Sequence, residues 1–179
     1  MAILSVGSLA DLRSDINVHK PDSLVLFADQ GKPFEVPGSK FNKWHTLWLD
    51  WPADAGADPT AQQRKKDQAM MQFLHFATSS KLDKCHIACP AGNGVSMAAA
   101  YVMLCMNAKV GQEANAAIYL RFEAAHGAVD RNFVEVADRI VERQGAMVRG
   151  LDTMLPANTA TRPKPVRFDL AMLSMSAAS

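Results

Sequence analysis

Long basic runs, paired metal-ligand spacings and membrane-length apolar stretches are all missing from this chain of 179 residues. The formal net charge is +1, with the lysines and arginines dispersed. A phosphate backbone would find no stripe of cations here, so no nucleic-acid partner is expected. The five histidines (His19, His45, His75, His86 and His126) form no H-x-x-x-H pair, and the three cysteines form no C-x-x-C pair. No metal and no cofactor is therefore expected. Neither G-x-x-x-x-G-K-[ST] nor G-x-G-x-x-G occurs, which removes the usual glycine cradles for nucleotides. The most apolar segment, residues 94–106, is too short to cross a bilayer and reads as a buried helix. The start, MAILSVGSLADLRSD, is too polar for a signal peptide. The expected setting is the cytoplasm, off the membrane, with reduced thiols. Cys85 and Cys89 lie four apart on an expected strand, their Cα atoms about 13 Å apart. That is beyond the reach of a disulfide.

What is present is an ordinary globular composition, 49% hydrophobic and 21% charged, enough to bury a sizeable core. Four short apolar runs predict strands: Ala2 to Val6, Ser23 to Phe27, His45 to Leu49 and Cys85 to Ala88. They show little alternation, as in strands buried on both faces of a parallel sheet. Helical patterns separate them. Leu9 to Ile16 predicts a short helix. Pro59 to Ser79 predicts a long one, with Asp58 as N-cap, Pro59 at the first helical position, and Met70, Phe73, Leu74 and Ala77 on one face. The Arg64 to Lys66 cluster reads as a solvated face. Three more helices are expected at Gly94 to Asn107, Gly111 to Ala125 and Arg131 to Met147. The fold class predicted is α/β, a central, mainly parallel sheet of four to five strands flanked by helices. Residues 1–150 form the expected domain. Residues 151–179 read as a Pro/Thr-containing linker and an apolar tail, which docks on its own domain, docks on a neighbouring subunit, or frays. Trp48 and Trp51 flank the third strand and are expected in the core, the alternative for Trp51 being an aromatic wall over a site.

The chemistry concentrates in KCHIACPAGNGVSMAAAYVML, residues 84–104. An apolar strand ends at Cys89, a loop with two glycines follows, and a helix begins. Such a loop offers unpaired N–H groups and a helix dipole to an anion. The same field favours a thiolate, which can attack a phosphoryl group. By residue type alone, Cys89 also reads as a small buried hydrophobe, and Gly92 and Gly94 as turn residues.

The loop resembles that of the cysteine-dependent protein-tyrosine and dual-specificity phosphatases, in particular their small bacterial branch, whose pattern is H-C-x-x-G-x-x-R-S/T. Here it reads Ala88-Cys89-Pro90-Ala91-Gly92-Asn93-Gly94-Val95-Ser96. The segments HKPDSLVLFAD, TLWLDWPAD, FLHFA, AAAYVML and FVEVAD follow the order of that family's other motifs, from Ala2 to Gly150. The resemblance implies a protein-tyrosine-phosphatase-like fold. It implies that Cys89 is the residual nucleophile, that Ser96 hydrogen-bonds its thiolate, and that Pro90, Ala91, Gly92, Asn93, Gly94 and Val95 form the anion-binding loop. The general acid falls near Ala53, which leaves Asp54 or Asp50 to serve.

The departures fall on the chemistry. The family's histidine is Ala88, and its phosphate-gripping arginine is Val95. Losing one such stabiliser costs on the order of 100- to 1000-fold in rate, and losing a general acid roughly another 100- to 10,000-fold. The expectation is a catalytically impaired phosphatase-like protein that binds a protein partner, or a phosphorylated or other anionic ligand, through the former active-site face. The first alternative is an active phosphatase with an unusual loop, its missing charge supplied by Lys43, Arg121 or Arg131. The second is a structural or assembly protein, homo-oligomeric through the apolar tail.

Overall fold

In a computed structural model, residues 3–28, 45–52, 58–79, 83–158, 160 and 164–175 are described. The chain runs β1 (Ile3–Ser8), α1 (Leu12–His19), β2 (Ser23–Phe27), β3 (His45–Leu49), α2 (Pro59–Ser79) and β4 (Lys84–Cys89). It continues as α3 (Val95–Asn107), α4 (Glu113–Glu123), α5 (Arg131–Ile140), α6 (Ala146–Asp152), β5 (Val166–Asp169) and α7 (Ala171–Met175). The fold is α/β, a five-stranded mixed sheet flanked by helices. Its strand order is β3-β2-β4-β1-β5. The first four strands are parallel, and β5 pairs antiparallel with β1. No described helix is long and apolar enough to cross a membrane.

The two faces of the sheet are unequal. Among the described residues, one carries α1 alone, whose Leu12 and Ile16 pack on Leu24, Leu26 and Ala88. The other carries the main core, built by α2 to α6 around α3. From Ser96 to Cys105 every α3 side chain is buried, so this apolar helix is the centre of the molecule. Its Tyr101 hydroxyl donates to the carbonyls of Met147 (2.9 Å) and Glu113 (3.1 Å), tying α3 to α4 and α6.

Most elements lie where the residue pattern puts them. α2 has the expected bounds, and Asp58 Oδ1 accepts from the N–H groups of Thr60 (2.9 Å) and Ala61 (3.2 Å). Elsewhere tertiary contacts override the pattern. The first helix starts three residues late. Ser8 Oγ donates to Asp11 Oδ2 at 2.7 Å and Leu9 N–H turns to the Cys89 carbonyl at 2.9 Å, so residues 9–11 form a turn instead. The single helix expected over Arg131 to Met147 is two. Glu142 (φ 57°), Gln144 (φ 54°) and Gly145 (φ 80°) adopt left-handed backbone. The buried Asp138 carboxylate then caps the second piece, accepting from Gly145 and Met147 N–H at 2.5 and 2.6 Å. β3 is an edge strand rather than one covered on both faces, so Trp48 is 45% exposed and not in the core. Lys66 is buried rather than solvated, its Nζ donating to Asn132 Oδ1 at 2.6 Å. The apolar tail docks on its own chain. Val166, Phe168, Leu170 and Leu173 are all buried in the main core.

Candidate functional site

β1 and β4 are neighbours, yet the chain leaves β1 for the α1 face and leaves β4 for the α3 face. Such a divergence opens a crevice at the carboxyl ends of the strands, the common ligand position in open α/β sheets. Cys89 is the last residue of β4 and pairs in register with Ser8. The Cys89 carbonyl accepts from Leu9 N–H at 2.9 Å and Gly92 N–H at 3.1 Å, locking the loop onto the end of β1. The approach is too close for a side chain. A Cβ on Gly92 would sit 2.9 Å from Ser8 N, and its φ of 62° is strained for any other residue.

Sequence reasoning pairs Cys89 with Ser96, and the structure brings them together. Ser96 Oγ, fully buried, lies 3.1 Å from Cys89 Sγ. The loop between them is not an open cradle. The Cys89 thiol donates to the Asn93 carbonyl at 3.0 Å. That carbonyl shares a trans peptide with Gly94 N–H, and the two must point in opposite directions. Gly94 N–H points outward, to the Ala128 carbonyl at 3.0 Å, and Asp130 N–H returns to the Gly94 carbonyl at 3.2 Å. Gly94 permits this with φ 64° and ψ −104°. The strap over residues 128–130 thus turns the Asn93–Gly94 peptide so that its oxygen faces the sulfur. A carbonyl dipole there turns its negative end toward the site and opposes a phosphate oxygen. Among the described residues, the N–H groups of Asn93, Val95 and Ser96 meet no protein acceptor.

Above the loop is a cavity of about 580 Å³, lined by Phe27, Ala28, Asp50, Trp51, Pro52, Pro90, Val95 and Asp130. Val95 lies on its surface where the resemblance calls for an arginine. Trp51 forms an aromatic wall, braced by Phe133 at 4.6 Å between ring centroids. Asp50 lines the cavity, whereas Asp54 and Ala53 lie outside the described residues. Neither described stand-in for the missing arginine lines it. Arg121 donates to the carbonyls of Ala124, Ala125, Gly127 and Leu155. Arg131 pairs with Glu135 (3.2 Å) and Asp152 (2.7 Å). Lys43 lies outside the described residues.

Two features escaped the sequence. Asp130 is the N-cap of α5, its Oδ1 accepting from Phe133 N–H at 3.0 Å. An aspartate before a helix is legible as a cap, but nothing local says that it also lines a cavity. The second is a sealed polar cluster beneath α1. Ser5 Oγ lies 2.9 Å from His86 Nδ1, and His86 Nε2 lies 3.6 Å from Asp15 Oδ2, neither of the latter two atoms having another partner among the described residues. Burial, with Asp11 nearby, raises Asp15 to about 6. Burial, with His19 stacked alongside, lowers His86 to about 4. A serine, a histidine and an aspartate in line suggest nucleophilic catalysis, but all three are almost wholly buried.

Comparison of the chain with family models, with curated proteins and with solved structures found no match. The functional reading therefore rests on the residues and their geometry.

Proposed function

We propose that this chain is a phosphatase-like protein without phosphatase chemistry, binding a protein partner through the face that carries the Cys89 loop. The order of the motifs from Ala2 to Gly150 supports the phosphatase-like part, as does a cysteine loop at the carboxyl end of the sheet's central strand. One observation carries the loss of chemistry: the Asn93 carbonyl, 3.0 Å from Cys89 Sγ, stands where an attacking thiolate needs donors. Val95 and the engaged side chains of Arg121 and Arg131 agree with it. The three unpaired cysteines suit a reducing compartment, which we take to be the cytoplasm.

Hydrolysis of a generic aryl phosphate by the wild type and by Cys89→Ser tests this. The reading expects no turnover above the Cys89→Ser background. Turnover that disappears with the cysteine would establish a working phosphatase instead.

A further inference from the structure

We propose that the cavity beside the Cys89 loop receives an arginine side chain from a partner protein, its stem against Trp51 and Val95 and its guanidinium against Asp50 and Asp130. This rests on the reading that the loop no longer processes a phosphate, and it names the occupant of the same face. The cavity has the size of a small-ligand site, which runs roughly from 300 to 1,000 Å³. Its wall is apolar and aromatic: Phe27, Trp51, Pro52, Pro90 and Val95. Its only charged lining residues, among those described, are the carboxylates Asp50 and Asp130.

Charge decides between occupants. The start of α3 contributes about half a positive charge, against two full negative charges on the cavity surface. The nearby ammonium of Lys66 is bound to Asn132 and lies 5.9 Å from the Trp51 ring, outside the lining. A phosphate would meet two carboxylates and the apolar Val95. An arginine fits both surfaces at once: its methylenes cover the apolar wall and its planar head donates to carboxylates and stacks on indole. Asp130 keeps an oxygen for this, since only Oδ1 is used by the α5 cap.

The test is an amide and indole NMR titration of the full chain, with n-butylguanidinium as the arginine mimic and phenyl phosphate as the competitor. Saturable shifts at the Trp51 indole and the Val95 amide are expected with the guanidinium and not with phenyl phosphate. Asp50→Asn and Asp130→Asn should each weaken guanidinium binding about fivefold or more, because a charge-assisted pair becomes a neutral one. Asn at 130 retains the N-cap, so that loss is not an unfolding effect. Phenyl phosphate binding at these residues, no saturable guanidinium shift, or affinity unchanged in both variants would overturn the inference. The aryl phosphate assay separates the two failures. Absent turnover with absent guanidinium binding removes this inference alone, whereas Cys89-dependent turnover removes the reading beneath it.

Discussion

Cys89 and Ser96 were legible in the sequence because a strand, a tight turn and a helix bring them together locally. The orientation of Asn93 was not, because the strap that sets it comes from Ala128 and Asp130, beyond α4. His86 illustrates the same gap. Its neighbours Cys85 and Ile87 belong to the main core, so strand alternation sends His86 to the α1 face. Nothing in the sequence says that Asp15 waits there. Gly7 makes the room, since a Cβ on it would fall 2.1 Å from Asp15 Oδ2. This cluster carries a prediction for pH dependence. Asp15 holds its proton to about 6 when folded and to 3.8 ordinarily, so its contribution is present at low pH and lost as pH rises through about 6. His86 is lowered from 6.5 to about 4, so its contribution is present above 6.5 and lost as pH falls through about 4. The two slopes oppose each other, and the wild type should vary little in stability between pH 4 and 6 on their account. Denaturant melts of single variants should expose each slope. His86→Gln leaves Asp15 alone, and stability should fall with rising pH. Asp15→Asn leaves His86 alone, and stability should rise. Parallel slopes in the two variants would contradict the cluster's assignment.

At the scale of elements, hydrophobic period and caps placed most helices, while breaks decided by distant contacts were invisible. α2 needed only Asp58, Pro59 and its apolar stripe. The break between α5 and α6 needed a buried carboxylate, Asp138, whose partners Gly145, at the end of the break, and Met147, in α6, lie two turns further along the chain. The Cys89 loop belongs with the second kind, since its shape depends on β1 as well as on its own residues. Gly92→Ala should therefore do more than stiffen a turn. The added Cβ meets Ser8 N at 2.9 Å in a left-handed conformation, and the expected loss is about 1–3 kcal/mol. Chemical denaturation measures it. A loss under about 0.5 kcal/mol, the range of an ordinary surface change, would mean that the loop is not held against β1.

At the scale of the whole molecule, the alternation of apolar runs and helical patterns made the α/β class readable, and four of the five strands with it. The fifth was hidden because Val166–Asp169 follows a proline-containing stretch and pairs with the far end of the chain. Its burial predicts what truncation does. Val166, Phe168, Leu170 and Leu173 are each worth about 1.5–3 kcal/mol when buried, and their sum rivals the 5–15 kcal/mol stability of a typical domain. A chain ending near Gly150 should unfold or aggregate on a sizing column rather than run as a smaller folded species. A folded truncated chain would mean that β5 is dispensable.

The central claim is that the Cys89 loop is closed to an oxyanion by its own Asn93 carbonyl. A crystal structure of the chain soaked with tungstate, a phosphate mimic, tests it most directly. The account predicts no tungstate at residues 89–96, with the Asn93 carbonyl still about 3.0 Å from Cys89 Sγ. Tungstate bound over Cys89, with the Asn93–Gly94 peptide turned so that Gly94 N–H faces it, would contradict the account.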